Sequence, residues 1–200
     1  LSVVVEVIDL AGLSSSQTVT LKRNVNLATA SISFDRLNPI ARPAKRNNNA
    51  LALIIGVSDY RNTPAKAIFA DSDAMVFRDY ASEKLGIPDN RIKTLVNDGA
   101  DEREMLLSVL SWLSRSVKQD QTDVYVFFAG HGLASDDGQN MYLLPYDGSP
   151  ELLDDTAILR DRLFNDIAKV NPRSVTVFLD TCYSGSNRGS EMLIADARPI

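Results

Sequence analysis

This chain of 200 residues has one cysteine and one histidine. A single cysteine excludes an internal disulfide and a zinc site built from several thiolates. A single histidine excludes a histidine-rich metal site. No apolar run approaches the ~20 residues needed to span a bilayer, so no membrane partner is expected. There is no excess of basic charge either: the formal net charge is −5, which argues against general nucleic-acid binding. No targeting segment is read at the amino end, where Leu1–Ile8 starts inside a strand-like pattern. Both ends read as those of a piece of a longer polypeptide. What remains, 44% hydrophobic and 24% charged residues, is ordinary for a globular protein.

The two singletons occupy equivalent positions. His131 closes the run Val124-Tyr125-Val126-Phe127-Phe128-Ala129-Gly130-His131-Gly132. Cys182 closes Val175-Thr176-Val177-Phe178-Leu179-Asp180-Thr181-Cys182-Tyr183-Ser184-Gly185. Each run is apolar, β-branched and aromatic, as in a buried strand, and gives way to glycine. Two neighbouring strands ending this way bring an imidazole and a thiol to one sheet edge, where open parallel sheets carry their active groups. A lone cysteine is more often a small core hydrophobe; the joint placement argues for a nucleophile with its base.

The rest of the chain organises around these strands. Residues 1–35 are expected to hold a β-hairpin, with strands at 2–8 and 17–23 around a Gly/Ser-rich loop. It resembles the end of an immunoglobulin-like sandwich. Residues 36–50, rich in Pro, Asn and basic side chains, read as a linker. The main domain, 51–200, opens on the buried-strand run Leu51–Val57. A helix is expected over 66–85, with Ile68 or Phe69, Met75 or Val76, Tyr80 and Leu85 as its apolar face and Gly86-Ile87-Pro88 as its stop. Ile92–Val96 reads as a strand. Asp101 and Glu104 form a capping-box-like start for a second helix, whose apolar face is Met105, Leu106, Val109, Leu110 and Leu113. Met141–Pro145 reads as an extended piece and 156–170 as a third helix. Strands alternating with helices predict an α/β layered fold with a mostly parallel sheet.

The sequences Ala129-Gly130-His131-Gly132 and Asp180-Thr181-Cys182-Tyr183-Ser184-Gly185 resemble those of caspase-like cysteine peptidases, and more closely the metacaspase or orthocaspase branch. In caspases proper the cysteine follows Gln-Ala, with the histidine about 50 residues upstream. Here the interval is 51 residues, and Asp180-Thr181 stands before the cysteine, the metacaspase form. The resemblance runs from about Ala50 to Gly185. It implies a three-layer α/β sandwich, a polypeptide substrate, Cys182 as nucleophile and His131 as base. It also implies an oxyanion hole from the backbone N–H groups of Gly132 and Cys182.

Asp180 lies one strand period before Cys182, so its side chain is expected on the same side. The metacaspase pattern brings a second acid from the first helix. Here Asp73-Ala74 matches the end of that pattern in Ala70-Asp71-Ser72-Asp73-Ala74, while Ala70 replaces its cysteine. Asp73 and Asp180 are therefore the candidates for an S1 pocket taking Arg or Lys. Metacaspases often need calcium. Asp136, Asp137, Asp147, Asp154 and Asp155 offer carboxylates, but Ser186–Ser190 lacks the expected aspartate and no EF-hand spacing is present. No cofactor is expected to be required, calcium being the lesser alternative. The resemblance further implies a C-terminal p10-like segment or chain, and self-processing, for which Arg188 is a better site than Arg198, since Pro199 follows the latter. A catalytically silent scaffold and a separase-like or gingipain-like peptidase are the competing readings.

Overall fold

The computed structural model describes residues 2–8, 14–20, 43–181 and 183–185. The chain divides into two compact units, Leu1–Asp35 and Arg36–Ile200. In the first, β1 (Ser2–Ile8) pairs antiparallel with β2 (Ser14–Thr20) in the register Ser2↔Thr20 to Ile8↔Ser14. The second strand thus starts three residues earlier than the expected 17–23. Ser14, Ser15 and Ser16 extend the ladder instead of forming the loop, because backbone pairing does not require a strand-favouring side chain at every position.

In the second unit the core is set by β3 (Ala50–Gly56), buried at every residue. Its side chains alternate between two faces. Leu51, Leu53 and Ile55 meet Met105, Val109, Leu113, Leu163 and Ile167 on one side. Ala50, Ala52 and Ile54 meet Ala70, Ala74, Ala81 and Ile87 on the other. Helices therefore cover both faces of a parallel sheet, ordered β4 (Ile92–Val96), β3, β5 (Asp123–Ala129), β9 (Ser174–Asp180). This is the three-layer α/β arrangement that the strand–helix alternation predicts.

One face carries α1 (Ala70–Glu83); the other carries α2 (Glu102–Leu107) and α5 (Arg160–Lys169). The Asp101 carboxylate accepts the Glu104 N–H at 2.7 Å, capping α2 as expected. That helix runs on through a π-helical turn, Ser108–Leu113, into a last turn α3 (Ser114–Ser116). Met105, Val109 and Leu113 are buried from it, whereas Leu110 faces solvent.

A second, smaller sheet has the order β10 (Tyr183–Gly185), β6 (Gly132–Ala134), β7 (Met141–Leu143), β8 (Ile158–Leu159). It corrects the third helix. Ile158 and Leu159 pair with Leu143 and Tyr142, so the expected 156–170 helix is split. A single turn, α4 (Leu153–Thr156), precedes the strand and α5 follows it.

The first helix differs more. It starts at Ala70, after Phe69 in the left-handed region at φ 76°, and Gly86 at φ 67° ends the turn behind it. It packs through Ala70, Ala74 and Ala81, leaving Ile68, Phe69, Met75, Val76 and Tyr80 exposed. The apolar face expected from spacing is thus the outer one. The sheet beneath offers Ala50 and Ala52, and only small residues let the helix sit that close. Before β3, the N–H groups of Ala44 and Asn47 donate to the carbonyls of Glu83 and Gly86, fastening the incoming chain to the end of α1. Among the described residues no helix is long and apolar enough to cross a membrane.

Candidate active site

β5 and β9 run parallel in the register Phe127↔Phe178, Ala129↔Asp180. Beyond their ends the chain enters β6 and β10, again parallel, in the register Gly132↔Tyr183. The offset is the same 51 residues on both sides of the turn. Gly130 N–H donates to the Asp180 carbonyl at 3.2 Å, holding the two strand ends together. His131 sits inside this paired turn. Cys182 lies outside the described residues, but its neighbours Asp180 and Tyr183 are opposite Ala129 and Gly132. Arg188 and Arg198 also lie outside them.

His131 is half-buried. Its peptide N–H donates to the Tyr60 hydroxyl at 2.7 Å. The Tyr60 ring stacks on the imidazole, centroids 4.8 Å apart and planes 23° from parallel. One ring nitrogen bonds the Ala65 carbonyl. Among the described residues, which do not include Cys182, Nε2 is buried and has no partner, which leaves Nδ1 as the nitrogen toward the Ala65 carbonyl. Burial holds the imidazole below its ordinary value of 6.5, the Ala65 carbonyl pulling weakly the other way. The result is an imidazole biased to its neutral form, for which the Ala65 contact favours the Nδ1–H tautomer with the lone pair on Nε2. Thr181 Oγ1, next to Cys182, is the other buried side-chain atom without a partner among the described residues.

Neither Tyr60 nor Ala65 was singled out by the sequence reading. Tyr60 carries a faint signal, an aromatic residue at the carboxyl end of a strand before the Pro/Asn-containing loop 61–64. Ala65 carries none, because it acts through its backbone.

The two acids of the first turn of α1 do different work. Asp71 accepts from Ser58 Oγ at 2.6 Å and from Ser72 N–H at 2.8 Å. The Ser58 bond leads the effects that hold its carboxyl below the usual range. Asp73 has no hydrogen bond or cation among the described residues. Its carboxyl is pushed up by burial, then by the charge of Asp180, then by Asp71. The packing explains why Asp180 is near. Phe77 of α1 contacts Phe178 of β9, ring centroids 5.0 Å apart. Asp73 is one helical turn before Phe77, and Asp180 one strand period after Phe178. Two carboxylates without a partner among the described residues therefore stand beside the turn that holds His131.

Gly132 is buried and opens β6. Three acids of the 136–155 segment are engaged by protein groups: Asp137 with Ser135 and Gln139, Asp147 with the Glu102 N–H, Asp154 with the Tyr142 hydroxyl. Among the described residues no group of three or more His, Cys, Asp or Glu is arranged to hold a metal ion.

The caspase-domain model matches residues 49–198, spanning both sheets, the histidine turn and the cysteine motif. The chain belongs to the caspase-domain family. Among solved structures, protein GSU0716 from Geobacter sulfurreducens is similar, with a TM-score of 0.55 at 18% identity over 68% of this chain. That likeness concerns the fold alone. The chain spans about half, 51%, of that relative's length. No curated protein matches the chain.

Proposed function

We propose that this caspase domain is a metacaspase-like endopeptidase that cleaves after Arg or Lys with Cys182 as nucleophile and His131 as base. The observation that carries this reading is the buried Nε2 of His131, without a partner among the described residues, in a turn whose register continues from Ala129↔Asp180 to Gly132↔Tyr183.

His131 Nε2 takes the proton from Cys182 Sγ, and the thiolate attacks the scissile carbonyl carbon. The C–S bond forms and the carbonyl π pair moves to oxygen. The N–H groups of Gly132 and Cys182 stabilise that oxyanion. Collapse breaks the C–N bond, and His131 returns its proton to the leaving amine. Water, deprotonated by the same nitrogen, then attacks the thioester and releases the carboxyl product and the thiol.

The Asp73–Asp180 pair supports the specificity. Its mutual repulsion is relieved by a cation, and two carboxylates suit a guanidinium better than an ammonium. A p10-like segment, in this polypeptide or another, completes the sheet at β9. Supporting this, Val175, Phe178 and Leu179 are 39%, 41% and 37% exposed on a strand paired on one side only among the described residues.

The test pairs the wild type with Cys182→Ala, each with and without calcium, on Arg-, Lys- and Asp-reporter peptides. Turnover of Arg reporters by the wild type alone is expected. Turnover of Asp reporters would overturn the pocket assignment. An inert wild type under reducing conditions would favour a partner-binding scaffold. Intact mass of the two proteins reads self-processing, expected after Arg188.

A further inference from the structure

We propose that Tyr60 is a positioning residue for the His131 base, fixing the histidine's backbone through its hydroxyl and the imidazole's plane through its ring. The inference rests on His131 being that base.

One side chain makes three contacts at the turn. Its hydroxyl accepts the His131 N–H at 2.7 Å, its ring stacks on the imidazole, and its hydroxyl fills the space beside Gly130. A Cβ at Gly130 would stand 2.8 Å from that oxygen, and the glycine's φ of 153° already disfavours a side chain. The turn from β5 into β6 is therefore shaped around the tyrosine.

The loop carrying Tyr60 is itself tied down. Ala67 N–H donates to the Ser58 carbonyl at 3.0 Å, and Lys66 pairs with Asp59 at 2.6 Å, closing the loop across its ends. Arg61 N–H donates to the Tyr146 carbonyl at 2.8 Å, and Asn62 Nδ2 to the Asp147 carbonyl at 2.7 Å, fastening its middle. The same loop supplies the Ala65 carbonyl. One segment thus delivers both the group that sets the tautomer and the group that sets the ring plane, so Nε2 is aimed before substrate arrives. The charged groups of that loop are Asp59 and Lys66, paired with one another, and Arg61. Burial and the Ala65 carbonyl are what act on the ionisation of His131 itself.

A phenylalanine keeps the stack and loses the acceptor; a leucine loses both. The single histidine makes this readable by NMR on the full chain, since only one imidazole resonates. In the wild type the expected signals are a pure Nδ1–H tautomer and a pKa below 6.5. In Tyr60→Phe the His131 amide signal moves and the second tautomer is populated. There kcat on the Arg reporter drops on the order of 10- to 100-fold with KM unchanged, as misaimed groups cost. In Tyr60→Leu the ring is uncovered, so its pKa rises toward 6.5 and the acid limb of kcat/KM moves with it. Amide signal, tautomer and titration identical to wild type in Tyr60→Phe would overturn the proposal. If Tyr60→Leu does not fold, Tyr60→Phe alone decides. If the imidazole signals change as expected while the wild type cleaves no peptide, the positioning role stands and the peptidase reading fails.

Discussion

A buried polar atom without a partner costs about 1–3 kcal/mol, and among the described residues there are two such side-chain atoms, His131 Nε2 after β5 and Thr181 Oγ1 after β9. Asp73 adds a third unfavourable feature, a carboxylate that faces Asp180 and has no cation. Its raised folded pKa has a definite sign. In the window above the ordinary 3.8 the folded state binds more protons than the unfolded chain, so stability falls as pH rises through that window. Asp73→Asn removes the repulsion and should raise Tm at neutral pH while sharply raising KM for the Arg reporter. In the wild type that KM should climb on acidification from a pH above the usual carboxylate range, and in the variant this limb should be absent. A variant that loses Tm instead would make Asp73 a structural acid. The sequence singles out His131, Cys182, Asp73 and Asp180 as candidates because each is an ionisable or nucleophilic side chain at an expected strand or helix end, and the structure brings His131, Asp73 and Asp180 to one region. Thr181 and the Ala65 carbonyl were not legible there, since a common hydroxyl and a peptide oxygen announce nothing until the chain is folded around them.

At the scale of the element, α1 shows where periodicity misleads. Its spacing of Ile68, Met75 and Tyr80 marks a face, but not which neighbour the face meets. The deciding residues lie in another element. Ala50, Ala52 and Gly56 make the sheet surface shallow, and the helix follows with Ala70, Ala74 and Ala81. At Gly56 the approach is closest: a Cβ there would lie 2.5 Å from both the Ala70 carbonyl oxygen and Ala74 Cβ. Gly56→Ala must therefore push the first turn of α1 outward, at about 1–3 kcal/mol of stability. Because that turn holds Asp73 but not His131, the expected kinetic effect is a raised KM for Arg substrates with kcat less affected. An equal loss with Arg- and neutral-reporter peptides would mean that the helix does not carry the specificity. The same dependence on a partner explains the split third helix. Ile158 and Leu159 have helical spacing with Leu163 and Ile167, yet β7 captures them as a strand.

The whole domain is held in register from the end opposite the site. At the start of β5, the Asp123 carboxylate accepts from Nε and Nη2 of Arg173 and from the Ser174 hydroxyl, at the start of β9. At the far ends of the same two strands, Ala129 faces Asp180 and the histidine and cysteine turns begin. A parallel pair has no hairpin to fix its alignment, and a slip of one residue would reverse every side chain of β9. The clamp is thus coupled through seven paired positions to the relation between the chain entering His131 and Asp180. Its pH dependence follows from Asp123, which Arg173 chiefly, and Ser174 in addition, hold below the ordinary 3.8. A depressed folded pKa contributes stability that is complete above 3.8 and is lost as pH falls through the lower folded value. Arg173→Ala should accordingly melt below the wild type at pH 7, and the two melting curves should converge as the pH drops below that range. Amide hydrogen exchange across β9 should be faster in the variant, with the kcat loss exceeding any KM change, because the register and not the pocket has loosened. A Tm gap that persists unchanged at pH 3 would mean that Arg173 contributes through packing of its stem, and that the strand pair is aligned by the apolar residues between.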